Sequence, residues 1–197
     1  MNNNELLVRD TRAEMEREVA ECRALFEKKT RDYGTSWRIL RLPSLTDQIF
    51  IKANRIRSIQ ESGENRVGDD VRDEFVAMVN YAVMALIQGL ASNPSPNGEG
   101  REQFQLPLEK AMELYDAQTK RILDLMMDKN HDYGEAWRQM RISSMVDLIL
   151  MKLLRIKQIE DNEGRTLVSE GVEGGYMDIV NYSLFCLVRM TEMKTEN

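Results

Sequence analysis

Lys29-Thr-Arg-Asp-Tyr-Gly-Thr-Ser-Trp-Arg38 is answered, 100 positions later, by Lys129-Asn-His-Asp-Tyr-Gly-Glu-Ala-Trp-Arg138. The correspondence runs on without a gap: across Lys29–Gln60 and Lys129–Glu160, 14 of 32 positions are identical. A repeat of about 100 residues is too long for a solenoid unit. It predicts two homologous modules packed face to face, and it supplies an internal control. Positions kept in both copies can serve the fold, whereas polar positions kept in one copy mark a site that only that copy supports.

Periodicity around these motifs is helical. Met15, Val19, Cys22 and Phe26 recur every three or four residues, and Tyr115, Thr119, Ile122 and Met126 repeat the pattern. Thr11-Arg-Ala-Glu14 reads as a capping box that opens the first helix, and Pro107 suits an early turn of its twin. Gly34 and Gly134 suit left-handed caps where those helices end. Ser44-Leu-Thr-Asp47 and Ser144-Met-Val-Asp147 read as capping boxes of a second helix, with Met145, Ile149, Leu153 and Ile156 on one face. A third helix is expected over Val71–Leu90 and Glu173–Met193.

The predicted modules are 11–90 and 105–193, joined by a Pro/Gly/Asn-rich linker over 91–104. Three helices of this length carry apolar faces too broad for one small module to bury. The expected fold is therefore all-α: a tandem duplication of a three-helix module forming a pseudo-twofold helical bundle.

Composition agrees. The chain has 197 residues, 42% hydrophobic and 30% charged, with thirteen Met and only four Pro. The net charge of −6 and the absence of a long Lys/Arg block argue against duplex nucleic acid as a partner, but not against a small anionic ligand. Met1-Asn-Asn-Asn-Glu does not read as a secretory leader, and no apolar run reaches the ~20 residues of a membrane helix. Cys22 and Cys186 sit among apolar neighbours, as buried thiols of a reducing compartment do. A cytoplasmic location without a membrane partner is expected, and a homodimer is left open.

Several polar positions admit two readings. Asp32, Tyr33 and Trp37, with Asp132, Tyr133 and Trp137, can shape a helix-to-loop turn or offer acid, phenol and indole to a nucleobase. Asp47 and Asp147 fit N-terminal caps. Lys52 with Arg55, and Lys152 with Arg155, lie three apart on one helical face. They can pair with Asp47, Asp147 or helix-three acids, or hold a phosphate. Aligning Asn80 with Asn181 sets Asp69, Arg72 and Ala77 of the first copy against Glu170, Glu173 and Asp178 of the second. Glu160, Glu173 and Asp178 can gather as oxygen ligands for Mg²⁺, or cap helices and pair with Arg155. His131 stands opposite Arg31 and reads as an exposed basic position, not a zinc ligand. No Gly-rich phosphate loop, nucleophile elbow or Cys-x-x-Cys pair is present.

Lys-x-x-Asp-Tyr-Gly-x-x-Trp, then Asp-x4-Lys-x2-Arg, then Asp-x2-Asn-Tyr resembles the helical family called nucleotide modification associated domain 1, over Lys29–Tyr81 and Lys129–Tyr182. The second copy matches at Asp132, Tyr133, Trp137, Asp147, Lys152, Arg155, Asp178 and Asn181. The first matches at Asp32, Tyr33, Trp37, Asp47, Lys52, Arg55 and Asn80, but has Ala77 for the acid. The resemblance implies a role in metabolism of modified nucleotides.

A more distant similarity is to the all-helical MazG-like nucleoside triphosphate pyrophosphohydrolases. Their Glu-x-x-Glu metal pattern is replaced here by Lys152 and Arg155, and Gly175 precedes Asp178 where their second pattern has an acid. The expectation is thus a nucleotide-metabolism protein. In its enzymatic form, Mg²⁺-dependent hydrolysis of a nucleoside di- or triphosphate would use Glu173 and Asp178 as catalytic groups, with Glu160 as a third metal ligand. The ligand-binding set is Asp132, Tyr133, Trp137, Asp147, Lys152, Arg155 and Asn181, with Asp32, Tyr33, Trp37, Lys52 and Arg55 in the first copy. The alternatives are a non-catalytic nucleotide-binding module and a helical structural adaptor.

Overall fold

The computed structural model describes residues 10–90, 105–165 and 171–195. Within them the chain forms six α-helices, and each half runs helix, short 3₁₀ turn, helix, helix. The first half holds α1 (Thr11–Tyr33), a 3₁₀ turn (Ser36–Ile39), α2 (Leu42–Ser62) and α3 (Val71–Leu90). The second holds α4 (Leu108–Tyr133), a 3₁₀ turn (Ala136–Gln139), α5 (Ile142–Asp161) and α6 (Val172–Thr195). The expected linker and Glu170 lie outside the described residues.

α3 and α6 form the central pair. α2 covers α3, α5 covers α6, and α2 packs on α5 across the pseudo-twofold, while α1 and α4 cross each other and both central helices. This explains why α3 is apolar nearly all round: it is enclosed by helices of both halves, and Phe75, Met78, Val79, Ala82 and Val83 are fully buried. The predicted stripes fall on the core, with Met15, Cys22, Tyr115, Met145, Ile149 and Leu153 at 0% exposure. The twofold is also written in ion pairs. Asp47 of α2 pairs with Lys157 of α5, and Asp147 of α5 lies 3.7 Å from Arg57 of α2.

Those pairs correct the capping expectations. Asp47 and Asp147 reach across to the other half, and α2 and α5 begin three residues earlier than predicted, after Arg41 and Arg141, neither of which makes a side-chain cap. Pro43 occupies the first turn of α2, where a missing N–H costs nothing. α1 is capped by Asp10, whose carboxylate accepts from the Ala13 amide at 3.0 Å. Glu14 is thereby left for Arg138. Pro107 is the N-cap residue of α4, just outside its first turn. Gly134 is left-handed as expected (φ 59°, ψ 39°), whereas Gly34 has positive φ but an extended ψ of −156°.

Both thiols are free, buried and pushed up in pKa by burial. No helix among the described residues is long and apolar enough to cross a membrane.

Candidate functional site

The same motif builds two different surroundings. In the first half, Lys52 and Arg55 project from α2 toward α3 and meet Glu74, which is only 4% exposed. The Glu74 carboxylate lies 3.0 Å from Lys52 Nζ and accepts a short hydrogen bond from the Arg55 guanidinium. Arg55 also reaches Asn65 Oδ1 at 3.3 Å. Both cations are thus paired to a buried carboxylate of their own half.

In the second half the residue at the place of Glu74 is Gly175. α6 carries Gly174-Gly175 in its first turn, which strips two side chains from its wall. A Cβ on Gly175 would lie 2.9 Å from Ile156 Cδ1, so the glycine lets α6 settle directly on α5. A cavity of about 460 Å³ opens beside it, and Arg121, Lys129, Lys152 and Arg155 bring four cations to its lining. Two acids offset them. Glu173 lies 2.6 Å from Arg121, and Asp178 lies 2.6 Å from Lys152 and 4.0 Å from Lys129. Arg155 is exposed and makes no ion pair or hydrogen bond with the described residues. The lining therefore carries more positive than negative charge.

A second cavity, of about 440 Å³, adjoins the first, and Lys129, Asp178 and Asn181 line both. It is aromatic, with Tyr133, Trp137, Tyr182 and Phe185 in its wall. Trp137, 6% exposed, stacks on Phe185 with centroids 4.5 Å apart and planes at 8°. Its indole N–H donates to Asn130 Oδ1 at 3.1 Å, and the Arg138 guanidinium lies 4.4 Å from its ring centroid. Arg138 is itself held by Glu14, Glu135 and Glu192, so the loop is anchored to α1 and α6. Tyr133, at the rim of this cavity, is 75% exposed.

Asn181 stands at the junction, 8% exposed, with its side-chain oxygen unpartnered among the described residues. Its twin Asn80 is fully engaged, donating to the Cys22 carbonyl at 3.0 Å and accepting from the Tyr115 hydroxyl at 2.8 Å. The second half lacks that hydroxyl because Met15 occupies the position equivalent to Tyr115.

The predicted residues thus divide. Tyr133, Trp137, Lys152, Arg155, Glu173, Asp178 and Asn181 line the joined cavities. Asp132 is exposed beside His131, at 3.3 Å, and Asp147 sits on the α2 side of α5 beside Arg57. Asp32 is exposed, Tyr33 and Trp37 line a smaller cavity of their own, and Lys52 and Arg55 are closed off by Glu74.

Glu160 does not join Glu173 and Asp178. It accepts from Thr46 Oγ1 at 2.8 Å and from the Tyr176 hydroxyl at 3.1 Å, and burial raises its pKa. Among the described residues no three Asp, Glu, His or Cys side chains group to hold a metal ion.

Sequence reasoning missed Arg121, Glu74 and the role of the glycine pair. The alignment that set Ala77 against Asp178 already set Glu74 against Gly175. Two adjacent glycines in a helix are costly enough to signal a close approach.

Residues 29–88 and 129–190 match nucleotide modification associated domain 1. The chain belongs to that family, as two tandem copies. No curated relative and no solved structure matches it. The family's two segments each run from the end of the first helix of a half to the third, the stretch that builds both cavities of the second half. The family description associates the domain with nucleotide modification and leaves the chemistry to be read from the cleft.

Proposed function

We propose that the second half binds a nucleotide along the joined cavities, with phosphate at Lys152 and Arg155 and the base against Tyr133, Trp137 and Tyr182. The observation that carries this reading is the adjacency of a cation-lined cavity and an aromatic one, sharing Lys129, Asp178 and Asn181. Cationic side chains recognise phosphate by charge-assisted hydrogen bonds, and bases pack on aromatic rings and present polar edges to an amide such as Asn181. Arg155, unpaired among the described residues, meets an incoming anion without giving up any described ion pair or hydrogen bond. Lys152 can exchange Asp178 for phosphate.

The enzymatic form of the proposal is hydrolysis of a nucleoside di- or triphosphate. Asp178 and Glu173 both line the phosphate end of the cleft, so Mg²⁺ carried in by the phosphates has two carboxylates within the same cavity. Such an ion would neutralise phosphate charge and act as a Lewis acid. Glu160, engaged with Thr46 and Tyr176, stays outside this set.

Thermal-shift and calorimetric titrations with nucleoside mono-, di- and triphosphates, with and without Mg²⁺, test binding. The expected result is saturable stabilisation by a nucleotide, and a chain that no nucleotide stabilises refutes the reading. Chromatography of the nucleotide products, compared between the native chain and Asp178→Asn, tests hydrolysis. Unchanged turnover in that variant removes the catalytic assignment and leaves the binding one standing.

A further inference from the structure

The first half keeps one end of the cleft and closes the other. Beside its own Asp-Tyr-Gly-x-x-Trp loop lies a cavity of about 340 Å³, walled by Phe26, Lys29, Tyr33, Trp37, Leu40 and Tyr81 among others. These side chains correspond to the aromatic cavity of the second half, position by position at Lys29, Tyr33, Trp37 and Tyr81. The cationic end is different. Glu74, buried beside Lys52 and Arg55, pairs with both cations, so a phosphate there must compete with a carboxylate already in place.

The indole provides a second observation. Trp37 Nε1 is buried and has no hydrogen-bond partner among the described residues. In the second half Asn130 accepts from the equivalent indole at 3.1 Å. Thr30 replaces that asparagine, and it turns its hydroxyl to the Phe26 carbonyl at 2.8 Å. Trp37, whose side chain lines the first cavity, thus keeps a buried indole donor without an acceptor among the described residues, and unpaired buried donors are rare.

From this geometry we infer that the first half is a second binding site, selective for an unphosphorylated nucleobase or nucleoside. Aromatic rings line it, the Trp37 indole N–H has no acceptor among the described residues, and Glu74 already pairs with the two cations that correspond to the phosphate end of the second half. The inference goes beyond the nucleotide reading of the second half, since it concerns different residues and holds or fails separately.

The sequence contains two tryptophans, one per half, so each reports on its own cavity. In the full chain carrying Trp137→Phe, Trp37 is the sole indole. Titration with thymidine and with adenosine should give a saturable change in its fluorescence, and the matching 5′-monophosphates should bind no more tightly than the nucleosides. Adding Glu74→Gln, which keeps the shape and removes the charge, should raise monophosphate affinity about tenfold or more over the nucleoside. Thr30→Asn, which supplies the acceptor used in the second half, should weaken nucleoside binding several-fold. Absence of any saturable Trp37 response to either nucleoside overturns the proposal. A monophosphate that outbinds its nucleoside while Glu74 is intact overturns it equally. Nucleotide binding at the second half is read separately in Trp37→Phe, from Trp137.

Discussion

Glu74 and Gly175 occupy the same place in the two halves, and the different fates of the repeated Lys-x-x-Arg cations follow from that one position. A carboxylate on α3 neutralises Lys52 and Arg55 from the core side, turning this cation pair into a partly buried ion cluster. A glycine on α6 removes the carboxylate, brings Ile156 against the helix backbone, and leaves Arg155 without a described partner. The acid that returns one turn later, Asp178, engages Lys152 and lies at the edge of the cleft instead of plugging it. Identical cations are therefore structural in one half and available in the other.

Ligand affinity should separate the halves most sharply. Replacing Lys152 and Arg155 together by Ala should weaken nucleotide binding by roughly 100-fold or more, because each charge-assisted bond contributes about 1.5–3 kcal/mol. Replacing Lys52 and Arg55 should leave the affinity of the second half unchanged in any variant that still folds. Calorimetry decides this, and equal losses from both pairs would erase the distinction.

Stability should show the reverse order. Arg55→Ala leaves the buried Glu74 with Lys52 as its remaining cation and should cost about 1–3 kcal/mol, since a charge-assisted hydrogen bond is lost but the carboxylate stays paired. Arg155→Ala breaks no described contact and should stay within about 0.5 kcal/mol. Urea denaturation of the two single variants is the measurement, and a large loss from Arg155→Ala would mean that this cation is structural after all.

Gly175 offers a smaller test. Gly175→Ala puts a methyl group 2.9 Å from Ile156 and should cost about 1–3 kcal/mol by overpacking. Gly89→Ala in α3 meets nothing within 4 Å and should be neutral or stabilising by about 0.5–1 kcal/mol. Identical melting temperatures for the two variants would remove the close-approach argument.

The smallest effect concerns Glu160, whose first-half counterpart is the non-titrating Gln60. Burial raises the Glu160 pKa against the opposing hydrogen bonds from Thr46 and Tyr176. The folded state thus binds this proton more tightly than the unfolded chain. Its contribution is complete below the ordinary carboxylate pKa and is lost as pH rises through the raised one. Glu160→Gln should flatten that dependence, so its melting temperature should gain on the native chain as pH rises above the ordinary carboxylate range. A difference independent of pH would show that Glu160 does not titrate in this window.

The fold was largely legible because it rests on periodicity. The stripes from Met15 to Phe26 and from Met145 to Ile156 fall on the core as read, since 3.6-residue spacing fixes which face is apolar whatever that face meets. Caps were read less well. Ser44-x-x-Asp47 has the letters of a capping box, yet Lys157 on the opposite half captures the aspartate and Pro43 draws the helix start upstream. The site was legible in its residue types. Tyr133, Trp137, Lys152, Arg155, Asp178 and Asn181 do line one cleft, but Glu160 and Asp147, close to them in sequence, turn to α2. A helix presents successive residues around its whole circumference, so sequence proximity along α5 does not select a common side.

The sequence by itself determined the duplication, the helices and the apolar faces that force two halves to share a core, because those depend on local periodicity and on how much greasy surface must be hidden. Only the tertiary structure decided which cations are spent and which are left over. Charge neutralisation acts through space, and Glu74, Arg121 and Asp178 come from different helices whose packing brings them to Arg55, Glu173 and Lys152.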